Sequence, residues 1–258
     1  MSVVRRKIPL ALDLGLALDA TGLFDELGMV PDPWQRELLE RPPHRALLNC
    51  CRQSGKSTTA AVLALHHALF RPEVLILLLS PSMRQSAELF RKIVDQFHRL
   101  RPNERPPQES VLRMEMSNGS RIISLPGSEG TIRGYSVASL VIVDEAARVS
   151  DELLAAIRPT LATTDGDLIA MSTPYGRRGW WFKAWTDAAA NWKRFTLTAP
   201  ECGRISKEFL DEELKTHGEW IFKQEYLGEF VDDSSSLFMS SLIEAALSDE
   251  VKPLFGGK

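Results

Sequence analysis

Short apolar runs alternate with stretches of helical periodicity along most of the chain. The apolar runs predict strands at 46–49, 74–80, 120–125, 139–144, 167–172 and 192–197. The helical patterns predict helices at 33–41, 56–70, 84–100, 151–162, 179–190 and 207–215. Unbroken runs such as VLILLLS and SLVIVD are expected where helices cover both faces of a parallel sheet, and Asn118-Gly119 predicts a hairpin. The pattern therefore predicts an α/β fold with a mostly parallel central sheet flanked by helices.

The character of the sequence changes three times along the chain. Residues 1–30 predict one or two amphipathic helices, because acidic residues interrupt their apolar stretch. The predicted sheet and its helices occupy residues 31–198. Short, charged helices are expected over 199–232, and the polar composition of 233–258 predicts a linker. We therefore expect one large core with smaller additions at both ends.

Composition narrows the classes of protein to consider. The chain has 258 residues, 44% of them hydrophobic, which is enough to bury a sizeable core. Its formal net charge is −3, so contact with nucleic acid would have to come from a local basic patch. Three cysteines, two of them adjacent, do not make a disulfide framework, and a reducing cytoplasm suits them. No apolar run reaches about twenty residues, so the sequence predicts no membrane span.

A candidate phosphate-binding loop joins the first predicted strand to a helix. Gly55, Lys56 and Ser57 stand at this junction. Glycine lets the backbone curl around phosphate oxygens, and backbone N–H groups at a helix start offer them partial positive charge. Lysine would reach the β- and γ-phosphates, and the serine hydroxyl would ligate Mg²⁺. Cys50 stands where this loop usually has its first glycine, so a chance Gly-Lys-Ser with serine as a helix cap is the alternative.

Two acidic residues follow a later apolar strand. Asp144 and Glu145 come directly after the run at residues 140–143. The carboxyl ends of parallel strands meet at one edge of a sheet, so these acids are expected to face the phosphate loop. Asp144 would hold the magnesium ion through its water shell, and Glu145 would orient and polarise the attacking water. The alternative is a strand that ends in two solvated acids.

Several ordered segments resemble the ATPase domain of the large terminase subunit, the DNA-packaging motor of tailed double-stranded-DNA bacteriophages. The resemblance covers most of residues 30–230. Its segments are PDPWQRELL, CRQSGKST, ILLLSPSMRQSAELFRKI, NGSRIISLPGSEGTIRGYSVASLVIVDEA, MSTPYGRRGWW and EWIFKQEYLGEF. The terminase variant of the phosphate loop often lacks the first glycine, which is consistent with Cys50.

The resemblance implies a P-loop NTPase of the additional-strand, catalytic-glutamate type. It implies an ATPase core over 31–198, a small lid subdomain over 199–232 and a linker toward an absent nuclease domain. Trp34 would lie near the adenine, whose edge Gln35 would read, and Thr173 would belong to the motif that couples hydrolysis to movement. Arg133 would enter the neighbouring subunit's site as an arginine finger, and Arg52 would sense the phosphates in cis. The residues implied to surround the phosphates are Arg52, Gln53, Ser54, Gly55, Lys56, Ser57 and Thr58.

The same resemblance implies the ligands and partners. The ligands are ATP and Mg²⁺. The partners are double-stranded DNA, a small terminase subunit and further copies of the chain in a ring, of five members by analogy, on the portal of a viral procapsid. We expect the domain alone to be monomeric, to act in the host bacterial cytoplasm without a membrane, and to lack nuclease activity.

Other interpretations of these residues stay open from sequence. The chain could be a fragment of a superfamily 2-like helicase or translocase, or an assembly module that binds nucleotide without turnover. Arg133 could form a local ion pair, and Thr173 could simply end a strand. Arg84, Arg91 and Arg99 recur on one face of a predicted helix, which suits either a DNA backbone or a solvated surface.

Overall fold

The computed structural model describes residues 10–126, 132 and 134–232, and within them eight strands form one sheet. The strands are β1 (Arg45–Cys50), β2 (Leu75–Ser80), β3 (Gln108–Glu109), β4 (Arg113–Glu115), β5 (Arg121–Pro126), β6 (Leu140–Asp144), β7 (Asp167–Ser172) and β8 (Lys193–Leu197). Their order across the sheet is β3-β4-β5-β2-β6-β7-β1-β8. All neighbouring pairs from β5 to β8 are parallel, whereas β3 and β4 add an antiparallel edge. The predicted parallel sheet and the hairpin at Asn118-Gly119 are confirmed.

Helices cover both faces of this sheet. They are α1 (Leu10–Leu18), α2 (Gly22–Glu26), α3 (Pro33–Glu40), α4 (Lys56–Phe70), α5 (Met83–Leu100), α6 (Asp151–Ile157), α7 (Gly179–Thr186) and α8 (Lys207–Tyr226). Strands β2 and β7 are buried along their whole length, as their unbroken apolar runs predict. Within the described ranges, no helix combines the length and apolar character that crossing a bilayer requires.

The position of β7 defines the class of this sheet. β7 lies between β1, which leads into the phosphate loop, and β6, which carries the acids. A strand inserted at this point is the mark of the additional-strand NTPases, so the predicted fold class is confirmed. It also places the ends of β1, β7 and β6 side by side at one edge of the sheet.

Three helices end at positions that differ from the sequence prediction. The helix expected over 151–162 ends at Ile157 and continues as a 3₁₀ turn, because Pro159 has no N–H to donate. The helix expected over 179–190 ends at Thr186. The helix expected over 207–215 runs on to Tyr226 with a kink at Gly218, whose φ of 77° interrupts the helical backbone.

Helices α1 and α2 pack on α4, which follows the phosphate loop, and on α5. Leu16, Leu23 and Phe24 are buried in the same core as α4 and α5. Arg99 of the predicted basic face donates to the Leu27 carbonyl, and Arg101, just after α5, forms an ion pair with Asp13. These arginines therefore attach the helical extension to the core. Because Arg99 is engaged in this contact, it is no longer a candidate for contact with DNA.

A buried histidine makes the stability of this fold sensitive to pH. His67 in α4 is fully buried, neither ring nitrogen has a hydrogen-bond partner among the described residues, and the nearest carboxylate oxygen, on Asp167, is 4.0 Å away. Burial, with help from the charge of Arg71, lowers the His67 pKa to about 3. Because the unfolded chain takes up this proton below its ordinary pKa of about 6.5 and the folded chain does not, stability falls as pH drops below that value.

We expect the free energy of unfolding to decrease by about 2 kcal/mol through His67 between pH 7 and pH 5. Urea unfolding of the wild type and of His67→Leu at both pH values measures this term, which the variant should lack. His217→Leu, at an exposed position of α8, serves as the control and should keep the wild-type dependence on pH. Equal pH dependence in wild type and His67→Leu would contradict the assignment.

Candidate nucleotide-binding site

The strand order brings the predicted functional residues to one edge of the sheet. Lys56 follows the end of β1, Thr173 follows β7, and Asp144 closes β6. This edge lies at the carboxyl ends of the parallel strands, where ligands bind in open α/β sheets. The phosphate loop and the acids therefore meet as the sequence predicts.

The phosphate loop turns into α4 at a position whose backbone conformation favours glycine. Gly55 has a φ of 89°, in the left-handed region. A Cβ atom at this position would lie 2.7 Å from the Gln35 amide nitrogen. The backbone angle therefore favours glycine, and a larger residue would also displace the Gln35 amide. α4 begins at the next residue, with its free N–H groups at the loop.

Lys56 lies across the interior of the loop. Its ammonium donates hydrogen bonds to the carbonyl oxygens of Cys50 and Cys51, the latter at 2.8 Å. Burial lowers its pKa, and the nearby acids Glu145 and Asp144 act in the opposite direction. Among the described residues, the hydrogen-bond partners of this ammonium are two carbonyls, which suits a site for an anion because phosphate oxygens would supply the countercharge.

Cys50 occupies the first position of the loop without blocking it. Its thiol is buried, lies 3.8 Å from the Phe195 carbonyl on β8 and belongs to the hydrophobic core that includes α4. Burial raises the pKa of this thiol to about 12, and that of Cys51 to about 11. Both side chains are therefore neutral packing groups.

The acids face the loop across a small cavity. Ser57, Asp144 and Glu145 line this cavity of about 190 Å³. Burial and the charge of Glu145 raise the pKa of Asp144 to about 6. A serine hydroxyl and a carboxylate are oxygen ligands of the kind that Mg²⁺ prefers, and a divalent cation would offset the cost of burying the Asp144 charge. These two residues fit a magnesium ion.

Glu145 has a strained backbone. Its φ of 50° and ψ of 44° are left-handed, which is uncommon for a residue with a side chain. Its N–H donates to the Asp144 carboxylate at 3.0 Å, and its own carboxylate lies 3.7 Å from Arg148 Nε. The two consecutive carboxylates therefore have different neighbours, although both line the same cavity. Such strain is frequent at functional sites.

Arg52 and Thr173 are joined by a residue that the sequence did not single out. Glu225 Oε2 lies 2.9 Å from Arg52 Nε and accepts a hydrogen bond of 3.2 Å from the Thr173 hydroxyl. Glu225 belongs to α8, in the predicted lid. The loop arginine, the strand-end threonine and α8 are therefore connected through one carboxylate oxygen.

The first turn of α3 packs against the start of α4. Trp34 and Gln35 are buried. The Gln35 amide oxygen accepts from the Asp32 N–H, and its nitrogen donates to the Thr59 hydroxyl at 2.7 Å. The amide that was expected to read the adenine edge therefore has protein partners at both ends, with one N–H remaining.

The other predicted loop residues differ in exposure. The Gln53 side chain is exposed, Thr58 is half-buried, and the buried Ser54 hydroxyl has no partner among the described residues. Arg133 and the predicted linker 233–258 lie outside the described residues.

Besides Leu89, four polar residues of α5 line the acid cavity and were not expected there. They are Arg84, Gln85, Glu88 and Lys92. The Lys92 charge acts to lower the Asp144 pKa, against the larger effect of burial. The signal for this placement lies in the topology: α5 follows β2, and β2 pairs with the acid strand β6. From sequence, Arg84 was considered as a contact for the DNA backbone or as part of a solvated surface.

The sheet is parallel around the phosphate loop, and β7 lies in it between β1, which leads into the loop, and β6, which carries the acids. This arrangement defines a P-loop NTPase domain of the additional-strand class. The family model for the terminase large subunit, T4likevirus-type, N-terminal, matches residues 47–245. The chain belongs to this family.

Individual relatives agree with this assignment. The terminase large subunits of Thermus phage G20c and Thermus virus P23-45 are each 26% identical to the chain over 251 residues. The match covers 83% of this chain and 52% of each relative, so the chain spans about half the length of these relatives.

Solved structures show the same fold. The large terminase ATPase domain of Thermus phage P74-26 superposes with a TM-score of 0.71 at 23% identity, covering 81% of this chain and 97% of that one. The HK97 bacteriophage large terminase gives a TM-score of 0.66 at 19% identity, covering 84% and 54%. A large terminase from a thermophilic bacteriophage, solved in complex with ADP, gives 0.63 at 11% identity, covering 77% and 52%.

Proposed function

We propose that this chain is the ATP-hydrolysing part of a motor that moves double-stranded viral DNA into a procapsid. The observation that carries the proposal is the cavity shared by Ser57, Asp144 and Glu145 at the mouth of the phosphate loop. A site built only to hold nucleotide has no need of a second carboxylate beside the one that would hold the cation. Family membership supports the motor assignment.

The phosphate loop would bind the triphosphate of ATP. The N–H groups at the start of α4 would hold phosphate oxygens, and Lys56 would leave its carbonyl partners to contact the β- and γ-phosphates. Thr58, Gln53 and Ser54 would complete the loop around them. Asp144 and Ser57 would hold Mg²⁺, which when bound neutralises charge on the β- and γ-phosphates.

Glu145 would act on the attacking water. Its carboxylate would accept the water proton while the water oxygen forms a bond to the γ-phosphorus and the bond from that phosphorus to the β,γ-bridging oxygen of ADP breaks. Arg52 would sense the γ-phosphate. Its present partner Glu225 also accepts from Thr173, so displacement of Arg52 toward the phosphates would be transmitted to the end of β7 and to α8.

The partners follow from the same proposal. They are double-stranded DNA, a small terminase subunit, a procapsid portal and other copies of this chain in a ring, which we propose to be a pentamer. Arg133 would then enter the site of a neighbouring copy. We propose a core at 31–198, a lid at 199–232 and a linker at 233–258, acting in the host bacterial cytoplasm, with the domain alone monomeric.

Phosphate release tests the proposed reaction. We expect ATP turnover in Mg²⁺ and a loss of about 100-fold or more in EDTA, because charge on the transferring phosphoryl group is then uncompensated. A coupled phosphate assay measures the rate, and restoring Mg²⁺ in excess of EDTA provides the control. Failure of ATP to bind in isothermal titration would contradict the proposal.

A further inference from the structure

Arg204 connects the predicted lid to the phosphate loop. It lies between the 3₁₀ turn Ala199–Glu201 and α8. Its two terminal nitrogens donate to the two carboxylate oxygens of Asp32 at 2.9 and 2.6 Å, and one of them also donates to the Ser54 carbonyl at 2.8 Å. The planar guanidinium suits this arrangement, because its fork matches a carboxylate and leaves further N–H groups to donate.

The Ser54 contact has a consequence for the next backbone N–H. The described residues contain no cis peptide bond, so the Ser54–Gly55 peptide is planar and trans. In such a unit the carbonyl and the N–H point in opposite directions. An arginine that holds the Ser54 carbonyl from the lid side therefore turns the Gly55 N–H to the other side of the loop.

Phosphate binding depends on which side of the loop the Gly55 N–H faces. A phosphate loop works by directing successive N–H groups at anionic oxygens, and a carbonyl turned inward would repel them. Gly55 has little conformational preference of its own, because glycine populates both signs of φ. Something outside the loop must therefore fix the orientation of this peptide.

We propose that Arg204 is a positioning residue that orients the Ser54–Gly55 peptide so that its N–H faces the nucleotide phosphates. The inference rests on the proposed nucleotide site. Asp32 orients the guanidinium through the bidentate pair, and the Asp32 N–H in turn donates to the Gln35 amide that packs against Gly55. These contacts join three parts of the chain at one point: residues 32–35, the phosphate loop and the start of the predicted lid.

Arg204 and Asp32 are exposed enough that an effect on nucleotide binding can be distinguished from an effect on the stability of the fold. The Arg204 side chain is 47% exposed and that of Asp32 is 27% exposed. Ion pairs at such positions contribute little to the free energy of unfolding. Loss of Arg204 should therefore change nucleotide affinity much more than it changes thermal stability.

Binding of mant-ADP by the full chain tests this role. We expect Arg204→Met to weaken binding by about tenfold or more, to raise the KM for ATP in parallel, and to leave kcat within about threefold, because the acids are untouched. The midpoint of thermal unfolding should stay within about 3 °C of the wild type. Arg204→Lys retains the charge without the fork and should fall between the two.

Two further variants separate the peptide contact from the ion pair. Asp32→Asn keeps one side-chain oxygen that can accept from Arg204 and leaves the Ser54 contact in place, so we expect a loss of no more than about threefold. Arg36→Met removes an exposed arginine of α3, the helix that Asp32 caps, and should bind as the wild type does.

The possible outcomes decide between the proposals. Affinity of Arg204→Met within twofold of the wild type would overturn this inference alone. Equal losses of mant-ADP affinity in Arg204→Met and Asp32→Asn would contradict the proposal that Arg204 orients the peptide. Absence of mant-ADP binding by the wild type would overturn the proposed function and this inference together.

Discussion

Glu145→Gln should reduce ATP turnover by about 10²–10⁴-fold while nucleotide affinity stays close to that of the wild type. The amide keeps the size and the hydrogen-bonding reach of the carboxylate but cannot accept the proton of the attacking water. Ser57, Asp144 and the phosphate loop, which would bind MgATP, are unchanged. The large loss should therefore fall on kcat, with KM near its wild-type value.

Single-turnover phosphate release and mant-ADP titration separate the two quantities. Glu152→Gln, on an exposed position of α6, provides the matched control and should turn over ATP at the wild-type rate. A Glu145→Gln rate within tenfold of the wild type would remove Glu145 as the base and would return the assembly-module interpretation to consideration. The amide is a better substitution than alanine, since it keeps the size and the hydrogen-bonding groups of the side chain and leaves no cavity.

Arg133→Ala should reduce turnover by about 10³-fold or more at concentrations where the chains assemble, if its guanidinium stabilises charge on the transferring phosphoryl group of a neighbouring site. Specific activity of the wild type should then rise with protein concentration. For the variant it should stay low at every concentration, because assembly supplies no finger.

A mixture of two inactive variants tests whether Arg133 acts between chains. In a mixture of Arg133→Ala and Glu145→Gln, some interfaces combine an intact Glu145 in one chain with an intact Arg133 from its neighbour. We expect such mixtures to regain turnover well above either variant alone. A rate equal to the sum of the separate variants would indicate a role within one chain, and flat wild-type activity across the assembly range would count against a finger in trans.

Much of the fold and of the site was predictable because the signals are local. Unbroken apolar runs marked β2, β6 and β7, since burial on both faces leaves no polar position. Gly55-Lys56-Ser57 and Asp144-Glu145 marked the site, because phosphate and metal chemistry require these residue types in this order. The parallel topology then brought them to one edge without further information.

The features that were missed depend on contacts distant in sequence. Arg204 and Asp32 are separated by 172 positions, and no periodicity or motif connects them. Glu225 and the α5 residues reach the site only because of how α8 and β2 are placed. Strand β3 was also missed: it has two exposed residues at the sheet edge, within a segment rich in proline and charge that predicts a loop. The positions of these residues and of β3 depend on contacts between residues that are distant in sequence.

The burial of all three cysteines makes the natural chain suitable for site-specific labelling. Cys50, Cys51 and Cys202 are each at most 3% exposed, and the raised pKa values of the first two suppress the thiolate that reacts with maleimides. A single cysteine introduced on an exposed surface should accept a fluorophore selectively, without removal of the native thiols. Distances between neighbouring chains could then be followed in real time on an otherwise unaltered protein.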